Sequence, residues 1–144
     1  MFNKKRLSRR IKQNEGYSEK VYLDQLEKLT IGYGHLITKK ERFEKNKKYP
    51  KKTLTKIFNN DLDRAIENYE KLFQKHKLPT GAEEVVIEMI FQLGTKRFLR
   101  FKKAVKALKD KNFLKASDEI LDSKMYKQVP KRVTIYVNIL KKQI

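Results

Sequence analysis

Two carboxylic acids and one hydroxyl residue near the amino terminus are of the types that acid–base catalysis uses. Asp24 follows Glu15 by nine residues, and Thr30 follows Asp24 by six. Cleavage of a glycosidic bond, for example, needs one carboxyl group to protonate the leaving oxygen and another to activate water or attack carbon. A hydroxyl group can hold that water. A lone carboxylate in so charged a chain is usually solvated, so the trio needs support from the rest of the sequence.

A short amphipathic helix is predicted just before the first of these carboxylates. Leu7 and Ile11 lie four residues apart, and Gly16 suits the C-terminal cap of a helix over about residues 4–14. Glu15 would then lie at the negative end of the helix dipole. That position opposes ionisation and suits a proton donor.

The next stretch predicts a small antiparallel hairpin or sheet. β-branched and aromatic residues alternate with glycines between Val21 and Ile37. We expect Asp24 to stay ionised on or beside the first strand, and the glycines to serve a turn or bulge. Residues 39–52 hold eight Lys or Arg and are predicted to form a solvated loop or a poorly paired edge strand.

From residue 54 onward the apolar spacing indicates helices only. The most regular pattern predicts a long helix over about 54–75. Gly94 is predicted to end the helix that follows, Asn112 to cap a later helix, and Pro130 to lie in the first turn of the last one. Strands followed by helices are typical of an α+β protein. We therefore expect one domain, 1–144, with a β-containing lobe at about 15–52, a connecting helix at about 54–75 and a helical lobe at 80–144. A cleft between the lobes would be the natural ligand site.

Composition limits the chemistry. Thirty-six Lys and Arg against 17 Asp and Glu give a net charge of +19, which favours polyanionic surroundings. The absence of cysteine excludes disulfides, thiol catalysis and Cys-based zinc sites. His35 and His76 have no partners at metal-ligand spacing, so neither a metal nor a cofactor is expected.

Taken together, these motifs resemble the phage-type lysozymes or endolysins, glycoside hydrolase family 24. In that family a Glu-Gly pair ends the first helix, an Asp follows nine residues after the Glu, and a Thr-Ile-Gly-X-Gly-His segment begins six residues later. The matching segments here are Glu15-Gly16, Asp24, Thr30-Ile31-Gly32-Tyr33-Gly34-His35, Phe58-Asn59-Asn60-Asp61, Met89-Ile90-Phe91-Gln92-Leu93-Gly94 and Tyr126-Lys127-Gln128-Val129-Pro130-Lys131-Arg132. The resemblance covers nearly the whole chain.

The resemblance implies a lysozyme-like fold and an inverting muramidase. Such an enzyme cleaves the β-1,4 bond between N-acetylmuramic acid and N-acetylglucosamine in bacterial peptidoglycan. Glu15 would be the general acid, while Asp24 and Thr30 would hold the attacking water. We expect carboxyl groups roughly 6.5–9.5 Å apart, the inverting range.

The resemblance also implies further site residues. It places Leu36, Phe91 and Gln92 along the saccharide, although periodicity alone would assign Leu36 and Phe91 to the core. It places Arg132 near the catalytic Glu, where a cation favours the ionised form.

Structural roles and departures follow from the same resemblance. It pairs His35 with Asp61 as a structural contact, without a catalytic role. Glu27 stands where relatives commonly have Gly, so the turn after Asp24 is expected to differ. Asn14 and Ile135 replace both ends of a common ion pair.

The expected setting is a bacterial cell. The basic start, residues 1–15, is not followed by the apolar core of a signal peptide, which predicts synthesis in the host cytoplasm. The protein would reach the periplasm and cell wall at lysis, with a holin opening the inner membrane. An anionic envelope would attract its charge, and like charge favours a monomer.

Two other classes of function remain open at this point. A lytic transglycosylase or an inactive wall-binding relative would keep the fold, but Asp24 favours hydrolysis because a transglycosylase needs no base for water. A basic nucleic-acid-binding protein would account for the charge. The sequence contains no recognised nucleic-acid-binding motif. If the protein bound nucleic acid, the spacing of Glu15, Asp24 and Thr30 would have no explanation other than coincidence.

Overall fold

The computed structural model describes residues 2–143, which form one helix, three short strands and then helices to the end. The predicted α+β class is confirmed. Residue 144, where the predicted helical lobe ends, lies outside the described residues. The helices are α1 (Lys4–Glu15), α2 (Lys51–Leu72), α3 (Thr80–Leu93), α4 (Thr95–Phe98), α5 (Lys102–Lys109), α6 (Phe113–Leu121), α7 (Lys124–Gln128) and α8 (Pro130–Lys141), and the strands are β1 (Ser18–Leu23), β2 (Leu29–Gly32) and β3 (His35–Leu36).

The chain divides into two compact units. The first, here called the sheet unit, is Ser8–Arg64. The second, the helical unit, combines the residues up to Leu7 with those from Ala65 onward. The boundaries fall inside α1 and α2, so each of these helices contributes to both units.

The sheet unit is built on a three-stranded antiparallel sheet in the order β1-β2-β3. Tyr22 faces Thr30 and Ser18 faces Gly32, so four steps along β1 correspond to two along β2. This irregularity changes the direction in which the side chains at the end of β1 point, as β-bulges do. The first strand starts at Ser18, earlier than the Val21 expected from residue type, because pairing with β2 extends that far.

Apolar residues of α1, β2 and α2 form the core of the sheet unit. Ile11, Ile31, Leu54 and Phe58 are fully or almost fully buried. The ring of Tyr33 lies 5.4 Å from that of Phe58, edge-on. This core joins the end of α1 to the sheet, so it fixes the surroundings of both predicted carboxylates.

Helix α2 begins at Lys51 and ends at Leu72, each three residues earlier than predicted. The Leu54 N–H donates to the Pro50 carbonyl, so helical hydrogen bonding begins at a proline whose fixed φ suits a helix start. At the other end the His76 N–H donates to Phe73, which tightens the chain into a turn. Lys51 and Lys52 are therefore helical, and the predicted irregular segment ends at Pro50.

The helical unit is centred on α3, which is apolar on nearly all sides and mostly buried. α3 packs against α4 and α8, and α6 packs against α5, α7 and α8. Three predicted boundaries are confirmed: Gly94 ends α3, the Asn112 side chain caps α6, and Pro130 begins α8. The single-turn α4 and the short α7 were not predicted, because helices this short depend on tertiary packing rather than on periodicity.

The turn between β1 and β2 keeps a left-handed residue where relatives have Gly. Glu27 has φ of +59°. A side chain in this region costs roughly 1–2 kcal/mol of conformational strain. Substitution by Gly would remove this strain, but the greater freedom of Gly in the unfolded chain would cancel part of the gain in stability.

We expect Glu27→Gly to raise the free energy of unfolding by about 0.5–1 kcal/mol, because it relieves this strain. Urea denaturation measures the change. Gln25→Gly is the matched control in the same turn, because Gln25 is not among the positive-φ residues. That variant should lower stability, and an equal loss in both variants would contradict strain at Glu27.

Candidate functional site

The carboxyl group of Glu15 is held between the end of α1 and the turn that joins β2 to β3. Gly16, with φ of +76°, ends the helix directly after Glu15. A Cβ atom at Gly34 would lie 2.7 Å from Glu15 Cδ and 2.9 and 3.0 Å from its two carboxyl oxygens. Gly34 also has φ of +71°. Two separate features therefore favour glycine at this position. The turn needs a positive φ, and the Glu15 carboxyl group occupies the space that a Cβ atom would fill.

Asp24 shapes the turn after β1 with only one of its two carboxylate oxygens. Oδ1 accepts hydrogen bonds from the backbone N–H groups of Leu26 and Lys28, each at 2.8 Å. Oδ2 receives no hydrogen bond from any residue in the range 2–143. The side chain is half-buried. It is anchored by one oxygen and can offer the other to water or a ligand.

The phenol of Tyr22 is affected by the charges of both carboxylates. Burial raises the pKa of the Tyr22 phenol, and the negative charges of Glu15 and Asp24 raise it further. Glu15 and Asp24 thus both belong to the sheet unit, and the charges of both act on Tyr22, a residue that spacing alone did not identify.

Thr30 lies on the face of the sheet that this phenol shares. It pairs directly with Tyr22 on one side and with Leu36 on the other, and directly opposed side chains point the same way. Thr30 is buried, and its hydroxyl donates a 2.8 Å hydrogen bond to the Lys28 carbonyl. The hydrogen of the hydroxyl is therefore in use. Its oxygen retains lone pairs that can accept a hydrogen bond.

His35 lies between two carboxylates of the sheet unit. Nδ1 is 2.7 Å from Asp61 Oδ2, and Nε2 is 2.9 Å from Glu41 Oε2. The hydrogen bond to Asp61 raises the pKa of His35 against the opposing effect of burial. Burial would raise the pKa of Glu41, but hydrogen bonds from Thr38 and His35 outweigh it and the pKa is lowered. Glu41 thus ties the basic loop after β3 to this pair.

A buried polar cluster in the helical unit involves two other predicted site residues. Arg132 Nε donates to the Tyr136 hydroxyl oxygen at 2.9 Å and to Glu88 Oε2 at 3.2 Å. The Tyr136 hydroxyl lies 2.8 Å from Gln92 Oε1. Arg132 and Gln92 are predicted from the sequence, whereas Glu88 and Tyr136 are not. The spacing of these residues could have indicated the cluster. Glu88 and Gln92 are four residues apart on α3, and Arg132 and Tyr136 are four residues apart on α8, so each pair lies on one face of its helix.

Of the predicted substrate-binding residues, none is fully buried. Leu36 is 37% exposed, and Phe91 and Gln92 are half-buried. The exposure of Leu36 contradicts its assignment to the core from periodicity, whereas Phe91 is partly buried. Leu36 belongs to the sheet unit with Glu15, Asp24, Thr30, His35 and Asp61, whereas Phe91, Gln92 and Arg132 belong to the helical unit.

Residues 2–143 contain no group of three or more His, Asp or Glu side chains placed to hold a metal ion. No helix in that range has the length and apolar character needed to cross a membrane.

Comparison with known proteins gives one family and two relatives. The chain matches the family described as phage lysozyme over residues 12–136. It is similar to "Probable T4-type lysozyme 2" of Dictyostelium discoideum, with 27% identity over 152 residues that cover 90% of this chain and 89% of the relative. It is also similar to "Probable T4-type lysozyme 1" of the same organism, with 29% identity over 153 residues and 90% of each chain covered.

The first expected outcome concerns the space that Gly34 leaves for Glu15. Gly34→Ala should displace the Glu15 carboxyl group and lower peptidoglycan cleavage, the activity implied by the resemblance, on the order of 100-fold. Gly32→Ala is the matched control, because Gly32 also has positive φ but its added Cβ meets Leu54 at an ordinary 3.4 Å. Both variants should lose similar stability, roughly 1–2 kcal/mol from strain. Equal activity in the two variants would show that Gly34 does not position Glu15.

The second expected outcome concerns the pH dependence of folding stability. A raised pKa at His35 contributes stability fully below about pH 6.5 that is lost as the pH rises through the folded-state value. A lowered pKa at Glu41 contributes stability above about pH 4.5 that is lost as the pH falls. The network should therefore contribute most between these limits.

Thermal unfolding measured across this pH range tests the network. His35→Asn should cost about 1.5–3 kcal/mol near pH 5.5 and much less near pH 9. His76→Asn is the control, because His76 lies in the turn after α2 and takes no part in the His35 network. A pH-independent loss in His35→Asn would contradict an ionic contribution.

Proposed function

This chain belongs to the phage lysozyme family, and we propose that it cleaves the β-1,4 bond between N-acetylmuramic acid and N-acetylglucosamine with inversion at the anomeric carbon. Family membership and the two T4-type lysozyme relatives support a lysozyme-type glycoside hydrolase that acts on peptidoglycan. The finer proposal, bond and stereochemistry, depends on what the sheet unit offers the substrate.

The single observation that carries the proposal is the pair of carboxylates beside Tyr22. Glu15 and Asp24 both act on the Tyr22 phenol, and Thr30 is the direct cross-strand partner of that tyrosine. Two carboxyl groups that act on one tyrosine, and a hydroxyl group on the strand opposite it, are of the kinds that glycoside hydrolysis requires. Since its pKa is raised, Tyr22 stays neutral and adds no third negative charge.

The proposed chemistry gives each carboxylate one proton to move. Glu15 donates its proton to the glycosidic oxygen as the bond from that oxygen to the anomeric carbon breaks. Its place at the C-terminal end of α1, where the helix dipole is negative, favours the neutral acid needed for this step. The leaving sugar departs with a new hydroxyl group.

Asp24 activates the water that replaces the leaving group. Asp24 Oδ2 accepts one hydrogen of the water, and the Thr30 oxygen accepts the other, which directs the water lone pair toward the anomeric carbon. The new carbon–oxygen bond forms as the proton passes to Asp24. Exchange of one proton each with solvent restores neutral Glu15 and ionised Asp24. Water between the carboxylates corresponds to a separation of roughly 6.5–9.5 Å, the inverting range.

The cellular setting belongs to the same proposal. With a net charge of +19, the enzyme would concentrate at anionic bacterial envelopes, more strongly at low ionic strength. We propose that it acts as a monomer in host cell lysis. It would pass from the cytoplasm to the wall after a holin-type partner opens the inner membrane.

Product analysis on purified peptidoglycan tests the reaction. The wild type should release reducing muramic-acid ends, and NMR should detect the inverted α-anomer first. Glu15→Gln and Asp24→Asn should each lower the rate by about 10²–10⁴-fold, because each removes one proton-transfer group. Asp24→Asn should fold normally, since an amide Oδ1 can still accept both turn hydrogen bonds. Glu67→Gln, which removes an exposed carboxylate paired with Lys71, is the active control.

Other products would identify the alternatives. Anhydro-muramic ends would indicate a lytic transglycosylase. A first product with the β configuration would exclude inversion. If the folded wild type released neither kind of end, hydrolysis would fail as the function, and binding to the wall or to nucleic acid would have to be tested directly.

A further inference from the structure

The polar cluster between α3 and α8 is buried to a degree that requires a fixed arrangement of hydrogen bonds. Glu88 and Tyr136 are 0% exposed, and Arg132 is 9% exposed. Buried polar groups are costly unless each donor has an acceptor. Gln92 joins the same cluster but is only half-buried, so it is the member that a ligand can reach.

The direction of the hydrogen bonds follows from counting hydrogens. Arg132 Nε has one hydrogen and cannot accept, so it donates to the Tyr136 oxygen at 2.9 Å and to Glu88 Oε2 at 3.2 Å. The Tyr136 hydroxyl also has a single hydrogen. For this hydrogen, Gln92 Oε1 at 2.8 Å is a closer acceptor than Glu88 Oε2 at 3.3 Å. The hydroxyl therefore donates to Gln92.

This direction decides which end of the Gln92 amide faces outward. Its oxygen accepts from Tyr136, so it is turned toward the buried cluster. The amide nitrogen makes no hydrogen bond with any residue in the range 2–143. Gln92 thus presents its two N–H donors to a ligand, while its oxygen is turned inward. A fixed amide also loses less side-chain entropy on binding than a free one.

We propose that Tyr136 is a positioning residue that orients Gln92 so that its N–H groups bind the acetamido carbonyl of an N-acetylated glycan. The inference rests on the proposed function, because it takes Gln92 to contact the saccharide. It adds a basis for selectivity. Removal of the acetyl group would leave a cationic amine opposite N–H donors, and a site built for a hydrogen bond discriminates strongly against a ligand that cannot form it.

Tyr136→Phe removes the hydroxyl group and retains the buried ring. Tyr69→Phe is the matched control, because Tyr69 is also buried and its hydroxyl donates to an α3 side chain, Glu83, at 2.8 Å. Both variants should therefore lose similar stability in thermal unfolding. Only Tyr136→Phe should alter glycan recognition.

Binding is measured in a Glu15→Gln background with N-acetylglucosamine oligomers and their de-N-acetylated counterparts. Tyr136→Phe should raise the Kd for the acetylated oligomer about five- to tenfold, the size of one hydrogen bond. It should leave the Kd for the deacetylated oligomer unchanged. With Glu15 restored, KM for soluble peptidoglycan fragments should rise while kcat stays within about twofold, because the lost interaction is made in ground state and transition state alike.

Two variants at Gln92 test whether Tyr136 affects glycan binding through the Gln92 amide. In Gln92→Leu, adding Tyr136→Phe should weaken acetylated-oligomer binding no further, because the tyrosine acts through the amide. Gln92→Glu keeps an inward acceptor but presents only an acceptor outward, so it should bind the acetylated oligomer as weakly as Gln92→Leu. This variant tests the orientation even if Tyr136→Phe fails to fold.

The outcomes separate the inference from the proposed function. Equal affinities in Tyr136→Phe and Tyr69→Phe, or a further loss on adding Tyr136→Phe to Gln92→Leu, would overturn the positioning role. Retained binding in Gln92→Glu would show that the outward group is an acceptor. A wild type that neither cleaves peptidoglycan nor binds the acetylated oligomer would instead remove the proposed function on which the inference rests.

Discussion

Carboxylates that leave water must be given hydrogen-bond donors, and this requirement fixes the polar interior of each unit. In the helical unit, the mostly apolar helix α3 carries two buried glutamates, one paired with the exposed Arg6 and the other with the buried Arg132. Tyr69 donates to a third glutamate, Glu83. For the buried Glu88–Arg132 pair, removing one partner leaves an uncompensated charge, which typically costs about 3–5 kcal/mol. The buried carboxylates therefore specify which residues of α1 and α8 pack against α3.

In the sheet unit the same requirement is met only in part, and the proposed chemistry uses the carboxylate oxygen that is left without a donor there. Asp61 and Glu41 both form hydrogen bonds with His35, and Glu41 also accepts one from the Thr38 N–H, which makes the trio a structural element. Asp24 is satisfied at Oδ1 alone, by the turn that it also stabilises. One residue thus serves the fold with one oxygen and can serve catalysis with the other. A substitution that separates these two uses, such as Asp24→Asn, is more informative than one that removes both.

Departures from the family pattern are accommodated locally. Glu27 occupies the left-handed conformation that a glycine would adopt more readily, so the turn keeps a positive φ at the cost of strain. Ile135 is partly exposed, and Arg132, three residues earlier on α8, takes the buried Glu88 as its partner. Tyr136 extends that pair to Gln92. A polar interaction between α3 and α8 therefore reaches a residue at the surface.

The sequence by itself determined the features that depend on neighbouring residues. The α+β order, the extent of α1, the Asn112 cap and the ends at Gly94 and Pro130 follow from periodicity and capping, which act within a few residues. The tertiary structure alone decided contacts between distant residues. Gly34 lies against the Glu15 carboxyl group, Glu41 closes on His35, and Tyr136 reaches Gln92 across 44 positions of sequence. Such contacts arise from the packing of whole elements, so no local pattern of residues predicts which side chains will meet.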